Sequence, residues 1–178
     1  PLIPRKNVFP IQERMLYDGS EKLPLHKEEI DEAVGQVLRQ GLKGIVVSFL
    51  HSYRNPLHER QAAERIRQIA PELEVATTAE LWPQMREYER TVMAVANLYI
   101  KPNVHHYFRT LKERLALEGI SAQPFITQSN GGLMDIESAA EAPVKTLFSG
   151  PAAGVIGAIR TAEAAGEANI ITLSLIHI

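Results

Sequence analysis

Residues 30–77, IDEAVGQVLRQGLKGIVVSFLHSYRNPLHERQAAERIRQIAPELEVAT, decide the fold class. At their centre, Ile45-Val46-Val47-Ser48-Phe49-Leu50 is a continuous apolar run of β-branched character. Such a run predicts a strand buried on both faces. Before it, Ile30, Ala33, Val34, Val37 and Leu38 recur at the spacing of one helix face, and Gly41 follows as a stop. After it, Asn55-Pro56 opens a second helix carrying Ala63, Ile66 and Ile69, halted by Pro71. Residues 73–77 read as the next strand. Helix, strand, helix, strand at this spacing predicts an α/β fold with a parallel sheet.

Working outward, residues 1–25 are punctuated by proline, with a short strand expected at 8–13 and a turn at Tyr17-Asp18-Gly19. Towards the C-terminus, Pro83 suits the first turn of a helix. Met85, Tyr88, Val92, Val95 and Tyr99 then form its apolar face, and Pro102 is expected to end it. A further helix places Val104, Phe108, Leu111 and Leu115 on one stripe and stops at Gly119. A strand at 124–128 runs into the turn Ser129-Asn130-Gly131-Gly132. Ser138 and Glu141 have capping-box spacing. Strands are expected at 144–148 and 169–173, on either side of an Ala/Gly-rich helix starting at Ser149-Gly150-Pro151 and running to about Ala165. A composition change near residues 78–83 marks a domain boundary.

The 178 residues are 45% apolar and 22% charged, enough for a packed core and against disorder. Nineteen Lys and Arg nearly balance 21 Asp and Glu, for a net charge of -2. No broad basic field exists for nucleic acid or an anionic membrane. The absence of cysteine excludes disulfides, thiolate nucleophiles and Cys-based zinc sites, and fits a reducing, cytoplasmic setting. No apolar run approaches the ~20 residues of a membrane span. The start, Pro1-Leu2-Ile3-Pro4-Arg5, has neither an initiator Met nor a signal-peptide core, so the chain is expected to begin inside a longer protein.

The richest candidate segment is Ser149-Gly150-Pro151-Ala152-Ala153-Gly154, where a helix of small residues begins. Its N-terminus suits an anion, and its small residues equally suit close packing. The glycine spacing matches neither a dinucleotide fingerprint nor a P-loop. His51, His58 and Glu59 lie just past the central strand, where α/β folds gather ligands. They read either as metal ligands or as a helix start with Glu59 facing the dipole. Arg90 reads either as part of a solvated helix face or as a clamp on a loop or a ligand carboxylate. Asn130-Gly131-Gly132 is by default a turn. No G-x-S-x-G elbow, H-E-x-x-H or Cys nucleophile is present, so no catalytic set emerges from spacing, and no metal site is assigned.

Together, several segments resemble the hydantoinase/oxoprolinase family: N-methylhydantoinase A-type subunits, 5-oxoprolinase and the related acetone carboxylase subunit. They are Pro1-Leu2-Ile3-Pro4-Arg5, Glu13-Arg14, Phe49-Leu50-His51-Ser52-Tyr53 with Asn55-Pro56 and His58-Glu59, and Arg86-Glu87-Tyr88-Glu89-Arg90-Thr91. Asn97, Tyr99 and Pro102 follow, then Ser129-Asn130-Gly131-Gly132 and Ser149-Gly150-Pro151-Ala152-Ala153-Gly154. The likeness runs in family order to about residue 173. It implies an α/β fragment of an actin, sugar-kinase and chaperone-ATPase type fold, with two RNase H-like lobes around a nucleotide cleft. Residues 1–80 would close the N-terminal domain, and 81–173 would open the core domain with the inter-lobe connection. The implied activity of the parent is ATP-dependent opening of a cyclic amide, with ATP and Mg²⁺ as cofactors and a B-type subunit or domain as partner. The alternatives are an acetone-carboxylase-type subunit and a non-catalytic interaction module. Ser149, Gly150, Pro151, Ala152, Gly154, Asn130, Gly131, Gly132, Arg90 and His51 become cleft or hinge candidates. After residue 173 the family continues with an acidic Gly-Gly-Thr phosphate loop, whereas Ser174-Leu175-Ile176-His177-Ile178 stands here. Residues 174–178 are therefore expected to be a foreign tail, with no role for His177. Without that loop, and with the first phosphate loop expected upstream of Pro1, the chain alone is expected to hold nucleotide weakly.

Overall fold

The computed structural model describes residues 2–173. The chain forms two compact units, one ending at Tyr99 and the other starting at Ile100.

The first unit opens with a small antiparallel ribbon, β1 (Arg14–Met15) and β2 (Glu21–Leu23). Its turn falls at Tyr17-Asp18-Gly19, as the sequence predicts, with Gly19 at φ 88°. The strand expected at 8–13 does not form. Gln12 donates its N–H to the Glu29 carboxylate at 2.6 Å and gives its C=O to His26 N–H, so side-chain and loop partners replace a ladder there.

Helix α1 (Lys27–Arg39) has Glu28 and Glu29 in its first turn and Arg39 in its last, matching the helix dipole. It buries Ile30, Val34 and Val37. Strand β3 (Gly44–Val47), helix α2 (Leu57–Ile69) and strand β4 (Glu74–Thr77) then form the parallel β-α-β unit foreseen from residues 30–77. The register pairs Gly44 with Glu74 and Val47 with Thr77. Ile30, Val34, Val37, Val47, Ala62, Ile66 and Leu73 close the core between helices and sheet, with Phe9 and Ile11 packed against it.

β3 is shorter than the apolar run, and Gly44, Ile45 and Val46 are only half-buried. Two strands leave each an open edge, and past Val47 the backbone of Phe49 is taken by side chains instead of a ladder. α3 (Thr78–Leu81) follows β4 directly.

α4 (Glu87–Leu117) is one helix of 31 residues carrying residues of both units. Pro102 lies inside it instead of ending it, and Pro83 lies before it. A proline removes one N–H and crowds the preceding turn, which packed stripes on either side of it tolerate. The apolar face expected from Met85, Tyr88 and Tyr99 is exposed, at 69, 75 and 83%. The buried positions are instead Arg90, Ala94 and Asn97 at i, i+4, i+7. Gly44 on β3 permits the close approach of this face: a Cβ there would stand 2.7 Å from Leu98 Cδ2.

In the second unit, Phe108 of α4 is buried with Ile136, Ala139 and Ala140, and Val104, Leu111, Ile126 and Met134 pack around them. This fulfils the stripe read at 104–115. β5 (Phe125–Thr127) pairs antiparallel with β6 (Leu133–Asp135) across the Ser129–Gly132 turn. α5 (Ile136–Glu141) is capped by Asp135, which accepts from Ser138 N–H at 2.6 Å. The capping pair is therefore Asp135 with Ser138, one turn earlier than Ser138 with Glu141. In place of a strand at 144–148, Pro143–Thr146 forms a 3-10 turn, with Pro143 in its first turn and the Thr146 hydroxyl bonded to Pro143 C=O at 2.7 Å. α6 (Ser149–Ala165) matches the expected helix. Residues 169–173 form no strand and are exposed, with no partner strand among the described residues. The expectation for 174–178 lies outside the described residues.

Candidate functional site

The carboxyl ends of β3 and β4 meet three buried polar side chains. Glu59, in the first turn of α2, is fully buried. Its Oε1 accepts from Phe49 N–H at 2.9 Å and from the Thr78 hydroxyl at 2.7 Å, and its Oε2 accepts from Ala79 N–H at 2.8 Å. Arg90, also buried, donates from Nε to Thr78 Oγ1 at 3.3 Å, from Nη1 to Gln84 C=O at 2.9 Å and from Nη2 to Phe49 C=O at 2.9 Å. Its guanidinium lies 5.6 Å from the centroid of the Tyr53 ring, within cation–π range. The Thr78 hydroxyl passes its proton towards Glu59 while accepting from Arg90, so two opposite buried charges are linked through one neutral group. Charged groups out of water need this degree of satisfaction.

Phe49 is thereby gripped by both its N–H and its C=O. The loop beyond it is held further along. Asn55 Nδ2 donates to Gly19 C=O at 2.8 Å, and Asn55 Oδ1 accepts from Leu57 N–H at 3.1 Å, opening α2. Ser48 and Thr91 hydroxyls bond at 2.6 Å. His51 sits at φ 58°, a left-handed conformation uncommon outside glycine, and its C=O accepts from Arg54 and Asn55 N–H. Ser52 is 2% exposed, and its hydroxyl has no hydrogen-bond partner among the described residues.

His58 is buried between two carboxylates. Nδ1 is 2.9 Å from Glu13 Oε2, and Nε2 is 2.8 Å from Glu21 Oε2. The ring can donate to both only as imidazolium. The two carboxylates take opposite sides of the ring, which ties the β1–β2 ribbon to α2 rather than converging on an ion.

The metal reading of His51, His58 and Glu59 thus gives way to two structural clamps, and Glu59 does more than face a helix dipole. Arg90 is likewise no solvated residue. It clamps a loop, through backbone carbonyls and not a ligand carboxylate. The buried roles of Glu59, Thr78 and Ser52 escaped the sequence reading. The available signal was polar residues at core spacing: Arg90 falls in line with Ala94 and Asn97.

In the second unit the structure brings the Ser129–Gly132 turn to the start of α6. Ser129 N–H donates to Lys145 C=O at 2.7 Å, and its hydroxyl bonds Lys145 and Leu147 carbonyls just before Ser149. Asn130 Oδ1 accepts from Gly132 N–H at 2.9 Å. Gly131, at φ 84°, lies against Ile156: a Cβ there would come within 2.0 Å of its Cδ1. Along α6, by contrast, Gly150, Gly154 and Gly157 have nothing within 4 Å of an added Cβ, and no α6 residue is buried. These three glycines therefore pack against nothing among the described residues, whereas Pro151, Ala152 and Ala153 are half-buried.

Two family descriptions match the chain in series. Residues 1–70 match the hydantoinase/oxoprolinase N-terminal region, and residues 90–175 match hydantoinase/oxoprolinase. The chain belongs to the hydantoinase/oxoprolinase family. Within this family it is similar to the caprolactamase alpha subunit of Pseudomonas jessenii, 33% identical over 98% of this chain and 25% of that protein. It is also similar to 5-oxoprolinase of Saccharomyces cerevisiae, 32% identical over 82% of this chain and 11% of that one. Among solved structures, the ATP-dependent caprolactamase from Pseudomonas jessenii superposes with a TM-score of 0.77 at 34% identity, covering 89% of this chain and 23% of that one. A nucleotide-free acetone carboxylase superposes with a TM-score of 0.71 at 26% identity, covering 88% and 22%. This hydantoinase/oxoprolinase chain spans about a quarter of the length of the caprolactamase subunit.

Both solved structures are of ATP-dependent enzymes, and the sequence reading expects Mg²⁺ beside ATP. Among the described residues, no group of three or more His, Asp or Glu side chains is placed to hold a metal ion. The first turn of α6 has no acidic residue, and Pro151 there lacks an N–H. No helix among the described residues is long and apolar enough to cross a membrane.

Proposed function

We propose that the parent protein is an ATP-dependent cyclic-amide hydrolase that opens a lactam ring such as a hydantoin or 5-oxoproline. The carrying observation is the likeness to caprolactamase, which extends over 98% of this chain in sequence and 89% in structure. In this reading the two units belong to an actin-like, two-lobed fold, with the N-terminal domain closing near residue 80 and the core domain beginning thereafter. The clamped loop after β3, with His51 and Arg90, walls the cleft. Residues 144–165 form the connection between lobes, where Ser149, Gly150, Pro151, Ala152 and Gly154 accommodate motion, and Asn130, Gly131 and Gly132 lie beside it as cleft or hinge residues. ATP and Mg²⁺ bind through residues beyond those described, a B-type subunit completes the enzyme, and the reaction runs in the cytoplasm. Relatives that are subunits of larger enzymes support the partner.

A second reading has its own support. Acetone carboxylase and acetophenone carboxylase subunits each match over 96% of the chain, at 28% identity. The test is to express the full-length protein with its B-type partner and supply Mg-ATP. Expected is phosphate release that depends on 5-oxoproline, caprolactam or hydantoin and is matched by ring-opened product. Phosphate release that instead requires acetone and bicarbonate selects the carboxylase. Neither activity, with no nucleotide bound, selects a non-catalytic interaction module.

A further inference from the structure

The loop of residues 49–55 carries a feature that its structural role leaves unexplained. Glu59, Arg90, Asn55 and Gly19 satisfy the backbone and side chains that hold it. At its middle, the Ser52 hydroxyl is buried and has no hydrogen-bond partner among the described residues. A buried polar group without a partner is unfavourable and uncommon in native proteins. Its neighbour His51 is held in the left-handed region, a strained conformation that persists only where surrounding contacts enforce it, and here they do. The loop also stands at the carboxyl end of a parallel strand, the usual place for ligands in α/β folds.

We propose that the 49–55 loop is a ligand-contact loop, and that its occupant presents a carbonyl or phosphoryl oxygen to the Ser52 hydroxyl. The side chains of the loop favour an acceptor oxygen over a cationic ligand. His51, Ser52, Tyr53, Arg54 and Asn55 include no carboxylate. The nearby carboxylate of Glu59 is filled by three donors, and that of Asp18 is engaged by Ser20 and held below its ordinary value, chiefly by the Ser20 hydroxyl. Ser52 is closed in this conformation, so the occupant enters as the loop yields. His51 is where it yields, since leaving the left-handed region releases strain. The identity of the oxygen rests on the function proposed above: it belongs to the lactam or to the nucleotide.

Ser52→Ala in the full-length protein tests this. Removing an orphan hydroxyl leaves Tm unchanged or raises it, while kcat/KM falls at least ten-fold. A rise in the lactam KM assigns the oxygen to the amide carbonyl, and a rise in the ATP KM assigns it to a phosphoryl group. Ser52→Cys, a weak donor of similar size, gives an intermediate loss. Unchanged kcat/KM for both substrates overturns the proposal. So does a fall in Tm that accounts for the lost activity, the signature of a hydroxyl satisfied by internal water. A wild-type protein without lactam-dependent turnover defeats the functional reading separately. The loop is then read by calorimetry of Mg-ATP on wild type against Ser52→Ala, where equal behaviour overturns it.

Discussion

Glu59 shows how one carboxylate can organise a strand end. Its oxygens answer three donors from two segments that are 29 to 30 residues apart in sequence, Phe49 on one side and Thr78 and Ala79 on the other. Gln has the same shape but turns one acceptor into a donor. In Glu59→Gln, an amide N–H faces another donor inside the core, and Arg90 keeps a charge with no opposite. Removing one member of such a buried set costs roughly 3 kcal/mol. Urea unfolding of Glu59→Gln should show a midpoint lowered accordingly with an unchanged slope, and a loss under about 1 kcal/mol would rule out the charge-linked account.

Among the elements, the order and parallel pairing of the β-α-β unit were legible from its apolar residues, although β3 is shorter and less buried than its apolar run predicts. Residues 85–99 misled for a definite reason. Their most hydrophobic face, Met85, Tyr88 and Tyr99, is exposed, and the buried face is marked by Arg90 and Asn97, whose polarity is satisfied only in three dimensions. Residues 144–148 and 169–173 have strand composition, but a strand needs a neighbour, and neither segment has one among the described residues. Of the candidate site, position was legible while partners were not: His51 and Arg90 were singled out, whereas Ser52 and Thr78 have no signature in isolation. The Ser129–Gly132 turn supplies a test at this level. Gly131→Ala meets two obstacles, the positive φ and the Ile156 methyl. The backbone term is about 1–2 kcal/mol. Adding Ile156→Ala to Gly131→Ala should relieve the clash but leave that term. Full recovery in the double variant, measured by thermal unfolding against Ile156→Ala alone, would exclude a conformational requirement at Gly131.

For the whole molecule, both units share an acid sensitivity. Asp31 is held below its ordinary value chiefly by its hydrogen bonds from Arg65, at 2.8 and 2.6 Å, which tie α1 to α2. Asp135 is lowered first by Ser138 N–H, Glu137 by Lys112, and Glu141 by Lys101. A carboxylate with a depressed folded value contributes stability above its unfolded value and loses it as the pH falls through the folded one. Unfolding midpoints should therefore hold level near neutrality and decline once the pH passes below the ordinary carboxylate range. Asp31→Asn should flatten part of that decline. Salt should weaken the effect, because these pairs face solvent. An acid limb unchanged by Asp31→Asn would remove the α1–α2 pair from the account.

The relay from Arg90 through Thr78 to Glu59 also has a consequence for heredity. A hydroxyl is the smallest group able to give and take at once, so serine is the one replacement at position 78 that keeps both bonds. A lineage that discards Glu59 strands a positive charge in the interior, and one that discards Arg90 strands a negative one. Apart from a serine at position 78, the three positions should then drift together or not at all, and an exchange for apolar side chains should need all three nearly at once.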